Sequence, residues 1–326
     1  MSYINTIKQL FEIFTSYKGP SKEEELRLLK TYYKDHKTPP PTKGGVIVMI
    51  DGRATHGGLS DRLKAIVSVY LYCKDRGLDY YLYFVYPFKI ESYLRPNIYD
   101  WRISPEEISY NPLYARPVCL NTYMMNLNLH KIKLDWLVKS RKQIHIYGET
   151  LFNDTRFSEG FHDLFTPVTD LKKIVCFHLT ELKGSYKAMV FRFQSLLNDF
   201  DEGNNKILPV AQREELILRC KQKIKDVYYS NCSNNMSEKV LVTSDSTSFL
   251  ARLTDLPFVK IIPGKVVHMD YTVGASDDIY MKSFVDMYMI AHADTIYMVQ
   301  TGDMYHSGFP YRCSLIFGHK YKEIVF

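Results

Sequence analysis

VIVMIDGRATHGGLSDRLKAIVSVYLYCKDRGLDYYLYFVY, residues 46–86, is the stretch that decides the fold class. It opens with VIVMI (46–50), a continuous apolar run rich in β-branched residues. Such a run has strand length and suits a strand buried on both faces. The glycine-bearing loop DGRATHGGLSD comes next, and RLKAIVSVYLYCKDRG (62–77) reads as a helix closed by Gly77. YYLYFVY (80–86) is a second strand. Strand, loop, helix and strand within about 40 residues make a βαβ unit, a right-handed crossover in a parallel sheet.

Upstream, residues 21–34 read as a charged amphipathic helix with Leu26, Leu28 and Leu29 as its apolar members. KTPPPTKGG (37–45) then breaks regular structure, because prolines cannot continue a helix and glycines loosen the adjoining chain. Ile4, Ile7, Leu10, Phe11 and Phe14 fall on one helical face, either docked on the protein's own core or touching a membrane surface.

Downstream, residues 87–170 carry one clear strand, IHIYGE (144–149), among many Pro and Asn residues, and part of the stretch reads as loops over a cleft. The alternation then resumes. KAMVFRFQ (187–194), KVLVTSD (239–245), FVKIIP (258–263) and TIYMVQ (295–300) read as strands. REELILRCKQKIKD (213–226), STSFLARLTDL (246–256) and YMKSFVDMYMIAHAD (280–294) read as helices, and a last helix starts near Gly308–Phe309. The predicted class is α/β, with two Rossmann-like domains, 1–170 and 171–326, and a cleft between them.

Bulk composition agrees. A chain of 326 residues is long for one core and fits two domains of about 150 residues. Hydrophobic residues make up 46% and charged residues 24%, a globular composition. The net charge of +6 is scattered among acids rather than gathered into a stripe, which argues against nucleic acid as a partner. It suits a phosphate-bearing substrate, or weak attraction to an anionic membrane face. Six cysteines without C-x-x-C spacing read as free thiols in a reducing compartment. No segment offers the roughly 20 apolar residues that span a bilayer. The expected location is cytoplasmic, free or peripheral at the inner face of the membrane.

Four polar constellations fall at strand ends. His56, Gly57 and Gly58 precede a helix, where backbone N–H groups can approach an anion; Ser60 caps in the plainer reading. Arg192 stands among apolar residues of a strand and needs an anion, either an internal carboxylate or a ligand phosphate, with Asn198 and Asp199 close behind. Thr243, Ser244, Asp245 and Ser246 arrive as another strand runs out; Asp245 suits the two N–H groups of a guanine edge, or a helix cap. Ser307, Gly308 and Arg312 open the last helix. There is no G-x-G-x-x-G, P-loop or G-x-S-x-G elbow, and no His or Cys cluster of metal-ligand spacing.

These residues resemble a known family. G-G-L-S-D-R-L (57–63) is similar to the G-G-L-G-D-R-L type of loop in α-fucosyltransferases of the rhizobial nodulation and plant xyloglucan kind. The order strand-Arg, T-S-D-S (243–246), D-x-Y-x-I-A-H-A-D (286–294) and S-G-x-P-x-R (307–312) resembles the three motifs of α1,2-, α1,6- and protein O-fucosyltransferases. The resemblance implies a GT-B-like fold, GDP-fucose as donor, a glycan acceptor bound by the N-terminal domain, and inversion without a metal or resident cofactor. It implies that Arg192 neutralises the β-phosphate, that Asp245 holds guanine, and that Ser307–Gly308 lies against the diphosphate. The general base would be Asp199, with Asp61 and Glu149 behind it. The family's first motif reads H-x-R-R-x-D; here Val190 stands for the histidine and Phe193 for the second arginine. Alternatives of the same fold are a transferase using another nucleotide sugar, or a non-catalytic GDP- or glycan-binding relative.

Overall fold

The computed structural model describes residues 20–120, 127–139, 141–148, 154–200, 206–230, 239–267, 269 and 278–326. The expected helical face at Ile4–Phe14, and Glu149, lie outside them.

The chain divides into two compact units, one of residues up to Ile90 with Pro96–Thr166, the other of Glu91–Arg95 with Pro167–Phe326. In the first, helix α1 (Pro20–Tyr32) precedes β1 (Gly45–Ile50), α2 (Leu59–Lys74) and β2 (Tyr80–Phe84). Next come β4 (Ala115–Leu120), α3 (Leu127–Leu137), β5 (Gln143–Gly148) and α4 (Phe157–Leu164), while β3 (Leu94–Pro96) and β6 (Phe165–Pro167) fall at the divisions between the units. Strands β2-β1-β5-β4 form an open sheet, parallel throughout, and β3 pairs with β6. The apolar run 46–50 is buried along its whole length, as a central strand covered on both faces requires. Edge strand β4 is covered by α1, whose Glu25 accepts the Cys119 N–H at 2.9 Å and pairs with Lys133 at 2.7 Å.

The second unit contains α5 (Thr169–Leu182), β7 (Tyr186–Phe191), α6 (Val210–Ser230), β8 (Lys239–Ser244) and α7 (Thr247–Ala251). It continues with β9 (Val259–Lys260), α8 (Asp278–Ala291), β10 (Thr295–Gln300), α9 (Phe309–Phe317) and β11 (Lys320–Val325). Its sheet runs β11-β10-β7-β8-β9, again all parallel. Counted from its own first strand this is the 3-2-1-4-5 order of a doubly wound sheet. Its core gathers Met189, Phe191, Phe193, Cys220, Phe249 and Val299. Ligands of such sheets bind beyond the carboxyl ends of the strands, where the connections diverge. That point lies between β7 and β10 in the second unit.

Several boundaries differ from expectation. Helix α2 begins at Leu59, three residues before the predicted start, because the polar residues Ser60 and Asp61 occupy its first turn. Strand β9 keeps two of the six residues expected, and β7 ends at Phe191. Among the described residues no helix is long and apolar enough to cross a membrane.

Candidate functional site

In the second unit the predicted residues after β7 and β8 come together, and the loop after β10 reaches them through Tyr305. Arg192 is not inside the strand, as the apolar run suggested, but the first residue beyond it. The chain then turns sharply, with Gln194 and Asn198 in the left-handed region at φ 53° and 62°. Asp245, just past the end of β8, holds this turn. Its Oδ1 accepts the Phe193 N–H at 2.9 Å and its Oδ2 the Gln194 N–H at 2.7 Å. Arg192 Nη1 lies 3.3 Å from Oδ2, and the guanidinium rests 4.7 Å above the Phe200 ring. The loop after β10 joins through the Tyr305 N–H, which donates to the Arg192 carbonyl at 3.0 Å.

This geometry gives Asp245, expected to hold guanine, a partner set within the protein. Its side chain is 1% exposed and both oxygens are committed, so it offers no open edge to a base. Burial pushes its carboxyl up, against the pull of Arg192 and the two N–H groups. Of the two anions open to Arg192 on sequence grounds, the internal carboxylate is present. The arginine side chain nevertheless keeps 17% of its surface exposed, so a positioned guanidinium still faces outward at the carboxyl end of the first strand of this sheet.

The remaining residues of this unit act mostly as caps. Ser246 is fully buried; its Oγ accepts the Phe249 N–H at 3.1 Å and donates to Asp199 Oδ2 at 2.8 Å. Asp199 Oδ2 also accepts the Ser248 N–H at 2.7 Å. Ser244 Oγ accepts the Ser246 N–H at 3.1 Å, and Thr243 is buried within β8. Ser307 Oγ accepts the Phe309 N–H at 3.2 Å, Gly308 is exposed, and Arg312 is buried in α9. Asp199 thus serves as a remote cap of α7, with Oδ1 buried and unpartnered. Asp199→Asn separates the two roles, since an asparagine oxygen still caps but takes no proton. We expect less than about 1 kcal/mol lost in thermal melts and turnover within a few fold. A fall of about 10²-fold at unchanged stability would return Asp199 to the role of base.

In the first unit the loop between β1 and α2 is tied to its own framework. Gly57 has φ +70°, which calls for glycine, whereas at Gly58 an added Cβ would meet nothing within 4 Å. Arg62 is buried and spent on backbone carbonyls, those of Gly57 at 2.9 Å and Tyr86 at 2.6 Å. His56 Nε2 accepts the Gly52 N–H at 3.1 Å. Asp61 faces outward in the first turn of α2, 4.0 Å from Lys64.

A buried polar cluster that no sequence motif announced lies beside this loop. Tyr147 donates to Asp51 Oδ2 at 3.2 Å, and Tyr33 OH lies 2.6 Å from His145 Nδ1. Gln143 Oε1, 3.2 Å from His145 Nε2, already accepts the Ser109 N–H, so His145 holds its proton on Nε2. Arg53 lies over Tyr110 at 4.1 Å and Tyr32 at 4.9 Å. The one available signal was position, since Asp51 and Arg53 directly follow the central strand.

Both histidines are pushed down to about 3, chiefly by burial and secondarily by the nearby arginine charges. A depressed histidine contributes stability that is fully present above its unfolded value near 6.5 and lost as pH falls toward 3. At pH 4.5 each should cost about 2–3 kcal/mol. Asp51, Asp245 and Asp286, raised by burial, act with the opposite sign. Urea midpoints from pH 7 to 4.5 should fall for the native protein and fall less for His145→Gln. Parallel curves would show that His145 does not carry the acid sensitivity.

No family model and no curated protein matches the chain. Solved structures do. NodZ alpha-1,6-fucosyltransferase soaked with GDP-fucose aligns over 84% of this chain and 93% of its own, at TM-score 0.55 and 13% identity. Arabidopsis thaliana FUT1 in complex with GDP aligns over 99% of this chain and 79% of its own, at TM-score 0.54 and 15% identity. NodZ from Bradyrhizobium without a named ligand gives TM-score 0.53, 13% identity and coverage of 84% and 94%. The chain has the fold of these fucosyltransferases. On this fold, Arg192, Asp199, Thr243–Ser246 and the loop after β10, through Tyr305, gather in the second unit, while His56, Gly57, Gly58 and Asp61 belong to the first.

Proposed function

We propose that this protein is an inverting, metal-independent glycosyltransferase that moves fucose from GDP-fucose to a glycan hydroxyl. The observation that carries the reading is Arg192, held by Asp245 at the carboxyl end of the central strand of a 3-2-1-4-5 sheet. As the sugar leaves in an oxocarbenium-like transition state, negative charge builds on the diphosphate. A guanidinium already oriented by a buried carboxylate stabilises that charge with little reorganisation, which is the service a divalent ion performs elsewhere. The exposed Gly308 at the start of α9 supports close approach of the same diphosphate. The structural likeness to NodZ soaked with GDP-fucose and to FUT1 in complex with GDP supports the choice of donor. Free cysteines at 73, 119, 176, 220 and 313 support a reducing compartment.

A second reading, the same chemistry with another nucleotide sugar, is favoured by one observation: the carboxylate expected to hold guanine is committed to Arg192 and the 193–194 turn. Calorimetric titration with GDP, UDP, CDP and ADP in EDTA separates the readings. GDP should bind selectively, and GDP-fucose should turn over without added metal. Preference for another nucleotide would keep the transferase and sink fucose; GDP binding without turnover would mark a non-catalytic relative.

A further inference from the structure

We propose that the outer face of α3, with the turn that follows it, docks the first unit on an anionic lipid bilayer. Ile132 and Trp136 enter the headgroup layer, and the cations beyond them meet its negative charge. The inference goes beyond the donor reading, since it concerns where the chain sits and not what it transfers.

Helix α3 is apolar on two sides. Leu134 and Leu137 are buried and hold the helix to its own unit. On the other side Ile132 and Trp136 are 41% and 57% exposed. They stand four residues apart and so adjoin on one helix face. A surface helix ordinarily turns polar or charged residues outward. Tryptophan, with an apolar body and one polar N–H, is the side chain that settles where hydrocarbon meets water.

Cations flank this pair. Residues 131–142 hold five Lys or Arg, at 131, 133, 139, 141 and 142, against one acid, Asp135. Asp135 is already held, with Arg76 Nε at 2.6 Å and the Tyr72 hydroxyl donating to it at 2.6 Å. Lys133 pairs with the buried Glu25 at 2.7 Å. Lys139, about one turn beyond Trp136, is exposed, and so are Arg141 and Lys142. The Arg141 N–H donates to the Leu137 carbonyl at 3.2 Å, which keeps these cations against the end of the helix. Helix α6 has the opposite arrangement. It too exposes a leucine, Leu218, but its Lys221 and Lys223 are matched by Asp255 at 2.6 Å and Asp226 at 3.6 Å.

This combination selects a bilayer. An anionic leaflet strengthens binding by about fivefold for each Lys or Arg close to it, and an apolar pair beside cations suits shallow insertion. A protein partner fits less well. Interface centres are poor in lysine, and a stable interface buries roughly 1,200 Å² or more, far beyond two side chains.

The chain holds two tryptophans, and Trp101 is fully buried, so an emission change on binding reports Trp136. The full chain is titrated with phosphatidylcholine vesicles, with the same vesicles containing phosphatidylserine, and with an RNA duplex. The phosphatidylserine vesicles should bind about tenfold or more tighter than the neutral ones, and high salt should weaken them. Emission should shift to the blue and be quenched by brominated lipid. The pair Lys139→Glu and Lys142→Glu should lower that affinity about tenfold or more at an unchanged thermal melt. Trp136→Phe should bind within a few fold of native and show no shift. If the charge variant does not fold, the emission of the native protein decides. Equal binding to both vesicles, bound protein whose emission neither shifts nor is quenched, undiminished affinity in the folded charge variant, or tighter binding of RNA would each overturn the proposal.

Discussion

Turnover of GDP-fucose should fall about 10²–10³-fold in Arg192→Ala, the scale on which enzymes lose rate when one preorganised donor to a developing anion is removed. The guanidinium stands at the carboxyl end of β7 with 17% of its side chain exposed. Alanine here also leaves the buried Asp245 carboxylate without its cation, so this variant loses stability as well as rate. Arg192→Lys is the cleaner experiment: it keeps a charge near Asp245 but gives up the planar fork. We expect lysine to retain most of the melting temperature and to lose about tenfold or more in kcat at saturating donor. Native turnover in both variants would remove Arg192 from the mechanism.

Asp245→Ala should be the most damaging substitution for folding. It removes the acceptor of two backbone N–H groups, those of Phe193 and Gln194, in a turn that holds Gln194 at φ 53°. It also strips the partner from Arg192. Breaking a fully buried pair from one side costs about 3–5 kcal/mol. Because Arg192 is partly exposed and can hydrate, a loss near the lower end, about 3 kcal/mol, is expected in urea unfolding. Asp245→Asn tests the other role. If the aspartate does not touch the base, the folded Asn variant should bind GDP within about threefold of native. A loss of roughly 1.5–3 kcal/mol in GDP affinity alone would reinstate the guanine contact.

Much of the architecture was legible. The run 46–50, the helix after it and strand 80–84 declare themselves through local periodicity, and TIYMVQ matches β10 at both ends. The stretch 87–170 was opaque for physical reasons. Strand β4 carries Arg116 and Pro117, and β3 and β6 are three residues each, too short for any repeat to register. Strand β11, KYKEIV, is a sheet edge whose exposed lysines and glutamate mask its alternation. At the site, the polar residues after β7, β8 and β10 were found because strand ends are readable. Their tasks were less so: Asp199, which looked like a base, caps α7, and Ser246 caps it directly.

The sequence by itself determined the two parallel α/β halves, the strand ends at which polar residues gather, and the need of Arg192 for an anion. Those properties follow from hydrophobic period, turn residues and the cost of burying a charge, all of which act within a few residues. Only the tertiary structure decided which anion Arg192 meets, that Arg62 is spent on backbone carbonyls, and that His145 is locked neutral between Tyr33 and Gln143. Each of these depends on a partner supplied by another strand or loop, and sheet order, not sequence neighbourhood, brings such partners within hydrogen-bonding distance.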